Sequence, residues 1–168
     1  SQYELIKNMS LENDRTLEYA ILLTGGKEKV YTNSKDNIVL KQIDLFGEDF
    51  VVEDVLSQEW KLTQDFKILG KYKCFKAVLK KKEIKKGMQA PDIEAWYAVE
   101  IPSRFGPKGF GNLPGLILEL KVGPIIYSAQ KIELSYKDEI LIEKPTKGKL
   151  MSSTEFDNML KGIDNKRN

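Results

Sequence analysis

Acidic side chains are the first candidates for chemistry in this chain of 168 residues, because it contains no histidine. That composition removes the commonest general base, the commonest zinc ligand and the usual partner of a serine or cysteine nucleophile. Acids gather near predicted turns at Asp44, Glu48, Asp49, Glu53 and Asp54. Two carboxylates about 5 to 9.5 Å apart could hydrolyse a glycoside, but turn acids are usually solvated. No EF-hand pattern for calcium is present either. From the missing histidine, the solvated acids and this absence together, we expect no catalytic residue, no metal site and no cofactor.

Cys74 is the single cysteine, so the chain cannot form an intramolecular disulfide or a thiolate metal cluster. The surrounding residues, from Tyr72 to Ala77, alternate as a strand would. A free cysteine in such a strand is usually a small buried core residue, which is the interpretation we favour. The alternative is a reactive thiol whose pKa is lowered by neighbouring lysines.

Charge is nearly balanced overall, with 27 basic and 25 acidic side chains, but it is unevenly distributed. Residues 1–60 carry 12 acidic and 6 basic side chains, whereas residues 67–86 carry nine lysines and a single acid, Glu83. Tyr72 and Phe75 interleave with these lysines, so one alternative is a surface that binds an anionic ligand. The stretch has no arginine and no nucleic-acid-binding motif. We favour a solvated, lysine-rich hairpin and expect no nucleic-acid partner.

Apolar residues mostly recur with period two between turn signals, which predicts antiparallel strands. On the strand predicted over residues 93–100, Ile93, Ala95, Tyr97 and Val99 share one face and Trp96 lies on the other. The predicted elements are a hairpin of residues 19–24 and 27–32, strands over 37–43, 50–54, 71–82, 93–100 and 116–121, and a final hairpin of 125–136 with 139–143.

Only the end of the chain changes to helical spacing. A capping box at Ser152–Glu155 precedes Phe156 and Met159, so residues 153–163 should form a short amphipathic helix that docks on the sheet. We therefore predict one mainly β domain over residues 1–163, α+β by strict count, with a single curved antiparallel sheet and a polar tail over 164–168. No apolar run is long enough to span a membrane.

Residues 102–115 stand out because seven of the 14 are glycine or proline. Such density specifies a particular irregular path, with Phe105, Phe110 and Leu113 as apolar anchors. Gly109 and Gly111 begin like a dinucleotide-binding loop. Pro114 occupies the position of the third glycine, a strand follows instead of a helix, and no Walker-type lysine is present. Both phosphate-loop interpretations are therefore rejected.

Asn112-Leu113-Pro114-Gly115-Leu116-Ile117 resembles the signature of the GLPGLI family of Bacteroidetes-type bacteria. Further matching motifs, in order over roughly residues 60–120, are Trp60, Ile68-x-Gly70-x-Tyr72-x-Cys74-x-Lys76-Ala77, Ala95-Trp96-Tyr97, Ile101-Pro102 and Gly106-Pro107. Asn112 replaces the first glycine of the signature and is a residue that tolerates left-handed backbone. The resemblance implies an exported protein, in the periplasm or cell envelope, whose signal peptide has been removed. It also implies a half-barrel like that of periplasmic lipoprotein carriers, and it brings no settled activity.

These observations favour a non-catalytic binding protein for an apolar or peptide ligand. The ligand would lie against Trp96, with Phe105, Phe110 and Leu113 closing over it as part of a flap. The simpler alternative is that this segment covers Trp96 as a second core. A protein–protein interaction module of the cell envelope is a further alternative, in which the acidic front and the lysines at 80–82 orient the partner. A carboxylate-dependent hydrolase is the remote alternative.

Overall fold

The computed structural model describes residues 2–3, 28–45, 47–56, 58–79, 83–85, 88–89, 92–134 and 141–164. Strands dominate and one helix closes the described part, which confirms the predicted mainly β fold with a C-terminal helix. The elements are β1 (Gln2–Tyr3), β2 (Lys29–Asn33), β3 (Ile38–Leu45), β4 (Glu48–Val55), β5 (Trp60–Leu69), β6 (Tyr72–Leu79), β7 (Glu83–Lys85), β8 (Met88–Gln89), β9 (Ile93–Ala98), β10 (Leu116–Val122), β11 (Ile125–Ser128), β12 (Lys149–Ser152) and α1 (Ser153–Asp164).

These elements form two compact units, where the sequence predicted one continuous sheet. The first unit consists of two stretches of the chain, one up to Val55 and one from Ile142 onwards. The second unit runs from Leu56 to Leu141. Each unit holds one five-stranded sheet, ordered β1-β2-β3-β4-β12 in the first and β11-β10-β9-β6-β5 in the second. That residues 1–163 fold as one domain stays a prediction, and most of the predicted tail, residues 165–168, lies outside the described residues.

The first sheet is antiparallel except at β12, which runs parallel to β4. A tight turn joins β3 to β4 at Gly47, whose φ of +85° suits a residue without a side chain. The amide of Gly47 donates to the Asp44 carboxylate at 3.2 Å, which fixes the turn. Phe50 and Val52 on β4 then present a buried apolar face.

Helix α1 packs on that apolar face, as its amphipathic pattern predicts. Phe156 is buried and meets Phe50 edge to face, with ring centroids 5.8 Å apart. The capping box is also confirmed. The Glu155 amide donates to the Ser152 hydroxyl at 3.2 Å, and the Glu155 carboxylate accepts from the Ser152 amide at 2.8 Å. These bonds satisfy two amides that a helix start leaves without partners.

The second sheet is wholly antiparallel. Its strands β6, β9 and β10 match the predicted ones closely, and β6 pairs antiparallel with β9, as predicted for the strands on either side of the lysine-rich turn. Among the described residues between them, β7 pairs with β8, a short pairing that was not predicted. Val99 is a correction, because β9 ends at Ala98 and Val99 lies 48% exposed in the turn that follows.

Two further differences arise from irregular pairing. Strand β5 was not predicted because its pairing with β6 is interrupted by a bulge between Leu62 and Phe66, which hides the period of two. Of the predicted final hairpin, only residues 125–128 form a strand within the described residues, and that strand pairs with β10. Strand β11 ends at Ser128, where Ala129 donates to the Leu118 carbonyl, and residues 129–134 and 141–143 form no strand. The remainder of that hairpin, residues 135–140, and the predicted strand over 19–24 lie outside the described residues.

Removing the Ser152 hydroxyl should weaken α1, because the Glu155 amide then loses its acceptor. We expect Ser152→Ala to lower the free energy of unfolding by about 1 kcal/mol in urea titrations. Ser153→Ala is the matched control, since Ser153 is already helical and alanine is favoured there. Equal losses in the two variants would contradict the capping role.

The same cap should make stability depend on pH. Hydrogen bonds from the Ser152 amide and hydroxyl lower the pKa of the Glu155 carboxyl. Because the folded pKa lies below the unfolded one, this contribution is complete above the unfolded pKa and is lost as pH falls through the folded pKa. The stability difference between the wild type and Glu155→Gln should therefore shrink on acidification. A difference that stays constant in urea titrations from neutral pH down to about pH 3 would argue against it.

Candidate functional site

The second sheet has two faces with different chemistry. One face, here called the Tyr97 face, is apolar and includes Ala77, Ala95, Tyr97, Ile117 and Leu120, all buried. The other, the Trp96 face, carries buried Cys74, Ala98 and Leu118 at one end and charged side chains around Trp96.

The Gly/Pro segment of residues 102–115 packs on the Tyr97 face. Phe110 and Leu113 join the cluster of Ala95 and Tyr97, and Leu113 is only 1% exposed. The segment is held by its own backbone as well, since Phe105 bridges to Gly111. It is therefore a packed, hydrogen-bonded cover of this face.

Trp60 at the start of β5 and Gln58 just before it fix this segment in place. The Gln58 side chain accepts from the Gly111 amide at 3.0 Å and donates to the Gly109 carbonyl at 3.2 Å. The Trp60 indole N–H donates to the Gly111 carbonyl at 2.8 Å, and its ring lies edge to face with Phe110 at 6.3 Å. Both backbone polar groups of Gly111 thus find side-chain partners more than 50 positions away.

Asn112 and Gly115 of the signature, and Gly111 just before it, act through the backbone, whereas Leu113 and Ile117 are buried in the core of the Tyr97 face. Asn112 has a φ of +62°, as expected of a residue that tolerates left-handed backbone. A Cβ on Gly115 would lie 2.1 Å from the Ala98 carbonyl oxygen, and one on Gly111 would lie 2.4 Å from the Arg104 carbonyl oxygen. Only glycine permits such close backbone approaches. The signature therefore specifies how the segment meets the end of β9.

Gly115→Ala should be strongly destabilising, because the new methyl group would overlap backbone that cannot move aside. We expect a loss on the order of 3 kcal/mol in the free energy of unfolding. Gly162→Ala is the control, since its Cβ would meet open space in α1 and should stabilise by up to about 1 kcal/mol. A Gly115→Ala protein as stable as the wild type in urea would refute the close-approach argument.

Trp96 lies half-buried among paired charges on its own face. The Lys67 ammonium is 2.6 Å from the Glu119 carboxylate and 4.4 Å from the Trp96 ring centroid. The Lys76 ammonium is 3.1 Å from Glu94 and 5.9 Å from the same ring. Each lysine therefore combines an ion pair with a cation–π contact.

A groove of about 350 Å³ opens on this face next to Glu119. Its apolar lining comes from Leu69, Tyr72, Leu118 and Ile132, of which Tyr72 and Leu118 are buried. Its polar lining comes from Lys71, Glu119, Ser128 and Gln130. The groove can accept an apolar group whose polar end remains at the rim.

The structure separates the residues that the sequence grouped as one site. Phe110 and Leu113 lie on the Tyr97 face, and Phe105 is tied to Gly111 in the same segment, whereas Trp96 lies on the opposite face. The segment therefore covers neither Trp96 nor the groove. Pro and Gly density predicted a fixed path but carried no information on which face that path would cover.

Sequence reasoning missed the groove residues and the roles of Gln58 and Lys67. The contacts of Gln58 and Lys67 span more than 50 positions, so no local pattern reveals them. Trp60 gave a signal, because it heads the series of motifs that led to the signature.

Cys74 is a core residue, as favoured above. It is fully buried, and this burial raises the pKa of the thiol although the charge of Lys67 opposes the effect. The described residues contain no group of three acidic or cysteine side chains that could hold a metal ion.

The candidate acids lie on the first sheet. Asp44 faces Asp49 across the β3–β4 turn, where Asp44 accepts from Gly47. Asp49 is 2.6 Å from the ammonium of Lys147, and this hydrogen bond raises the pKa of that lysine. Both acids thus have structural partners. Lys80, Lys81 and Lys82 lie outside the described residues.

The second unit, with its covered face and its grooved face, is a β-sheet module, and part of it matches a known family. Residues 80–119 match the family model of a protein of unknown function, Porph_ging. This stretch includes β9, the Gly/Pro segment and the start of β10. The matched stretch is less than half of the chain. The match does not confirm the resemblance to the GLPGLI family.

The other comparisons are more distant. A search of curated proteins finds no match. Among solved structures, one described as PNGF-II in the C2 space group is 19% identical, with a TM-score of 0.46. The similarity covers 79% of this chain and 24% of that one, so this chain spans about a quarter of the other's length. Within the described residues, no helix is long and apolar enough to cross a membrane.

Proposed function

We propose that the protein is a non-catalytic binding protein that holds an apolar or peptide ligand on the Trp96 face. The groove of about 350 Å³ beside Glu119 carries this proposal. Its volume lies at the lower end of the range of small-molecule sites, about 300 to 1,000 Å³. In line with its GLPGLI-like motifs, we further propose that the protein is exported and works in the periplasm or cell envelope.

The chemistry of the groove supports an amphipathic ligand. Tyr72 and Leu118 form an apolar floor, while Ser128 and Gln130 bring a hydroxyl and an amide to the exposed rim. Glu119 is already paired with Lys67, so a ligand need not supply a charge to neutralise it. A peptide side chain with its adjoining backbone, or a short lipid-like chain with a polar end, has this distribution of polar and apolar groups.

The Gly/Pro segment is not a flap over the proposed ligand, because it lies on the opposite face of the sheet. Phe110 and Leu113 support the sheet from behind, because they pack on the Tyr97 face. Trp96 contributes through Lys67, which lies over its ring and pairs with the groove residue Glu119. The proposed binding residues are therefore those of the groove together with Trp96 and Lys67.

Binding can be tested with 1-anilinonaphthalene-8-sulfonate, an apolar dye with an anionic end, by fluorescence titration of the folded protein. We expect one saturable site per chain. Ile132→Glu places a charge against the apolar lining and should weaken binding about tenfold or more. Leu134→Glu is the matched control, because Leu134 is 61% exposed and does not line the groove.

Ser128→Phe tests the same site without changing its buried floor, because Ser128 is an exposed residue of the rim. Its ring should fill the groove and displace the dye while the melting temperature stays near that of the wild type. Two results would count against the proposed function. One is that the wild type does not bind the dye, and the other is that both groove variants still bind it as the wild type does.

A further inference from the structure

We infer that the outer edge of β5 is a docking site for an extended segment of another protein, which adds to the sheet beside Phe66–Leu69. The segment would alternate apolar and acidic side chains. This interaction surface adjoins the groove, which shares Leu69 and Lys71 with it, but its centre at Phe66 and Ile68 does not line the groove. Three features of β5 support it: an edge position, exposed apolar side chains and surrounding lysines.

Strand β5 is the last strand of its sheet. Among the described strands only β6 pairs with it, along one side. The backbone amides and carbonyls on the outer side of such a strand are a template for another strand. Extended peptides bind many domains in this way, with backbone hydrogen bonds giving affinity and side-chain contacts giving specificity.

The edge also exposes large apolar side chains on one face. Phe66 and Ile68 point to the Tyr97 face, where they pair across strands with Phe75 and Lys73. They are 58% and 62% exposed, and Leu62 on the same face is 52% exposed. Exposed apolar side chains gathered in one place usually mark a site of interaction.

The bulge selects which part of the edge can accept a strand. The Asp65 amide donates to the Thr63 hydroxyl, which itself donates to the Lys76 carbonyl at 3.2 Å. These bonds draw the backbone at the bulge into contacts within the sheet. Residues 66–69 beyond it resume a regular register with β6, so they form the stretch that can pair with a partner.

Charge determines the chemistry of the partner. Lys71 is exposed beside this stretch. Lys73 is exposed as well but shares the Tyr97 face with Phe66, and its ammonium is 4.2 Å from the Phe66 ring centroid. Lys61 is exposed at the other end of β5, whereas Asp65 is the single acid of the strand. Side chains that face each other across paired strands attract when their charges are opposite. A segment that places apolar side chains beside Phe66 and Ile68 on the Tyr97 face places its acids on the Trp96 face, where Lys61 and Lys67 of β5 lie.

The probe for this surface is a fluorescein-labelled, end-blocked nonapeptide of alternating valine and glutamate, measured by fluorescence anisotropy. We expect saturable binding that weakens as salt is raised. Phe66→Lys should reduce affinity about tenfold or more, since it removes the central apolar contact and adds a charge. A peptide with lysine in place of glutamate should bind at least as poorly.

Ile126→Lys is the matched control, because Ile126 is also 58% exposed but lies on β11, the opposite edge strand. This variant should bind the peptide like the wild type, as should the groove variant Ile132→Glu. The second result separates this surface from the proposed ligand site, so either can fail alone.

Two outcomes would overturn the inference. One is the lack of saturable peptide binding, or an equal loss in Phe66→Lys and Ile126→Lys. The other is a concentration-dependent dimer in sedimentation velocity that Phe66→Lys abolishes while the peptide does not bind. The occupant of the edge would then be a second copy of the chain.

Discussion

The clamp on Gly111 is the interaction on which the second unit depends. Both backbone polar groups of this residue are satisfied by Gln58 and Trp60, at the entrance to β5. These bonds hold Phe110 and Leu113 against the Tyr97 face, so an irregular segment becomes a cover for an apolar surface. Leaving these groups unpaired at a partly buried position would cost more than one net hydrogen bond provides. Burial of Leu113 and the clamp therefore depend on each other.

Because one face of the sheet is covered in this way, only the Trp96 face and the outer edge of β5 serve the binding roles that we propose. The Trp96 face combines an apolar groove with lysines that are already paired with carboxylates. Ion pairs at partly exposed positions contribute little to stability, typically below about 1 kcal/mol. Their effect here is to hold Lys67 and Lys76 close to the Trp96 ring, which gives this part of the face a defined shape. Charge on this face thus organises the surface more than it stabilises the fold.

Local pattern predicted those parts of the fold that local interactions determine. Strands β9 and β10 alternate clearly, and the Ser152–Glu155 capping box predicts the start of α1, so these three elements were found from sequence. Strand β5 was missed because the bulge after Leu62 breaks the alternation. The face covered by the Gly/Pro segment depends on Gln58 and Trp60, far away in the chain, and no pattern within residues 102–115 could reveal it. The groove likewise draws residues from several strands.

The parallel strand β12 has a consequence for how the molecule is assembled. It joins Phe50 and Val51 on β4 to Lys149 and Leu150, about a hundred positions later in the chain. The first unit therefore cannot complete its sheet or dock α1 until the C-terminal segment is available. The second unit is continuous in sequence and has shorter loops to close, which favours its earlier formation. During synthesis, the module that carries the groove can thus form while the sheet begun by the preceding residues still awaits its last strand.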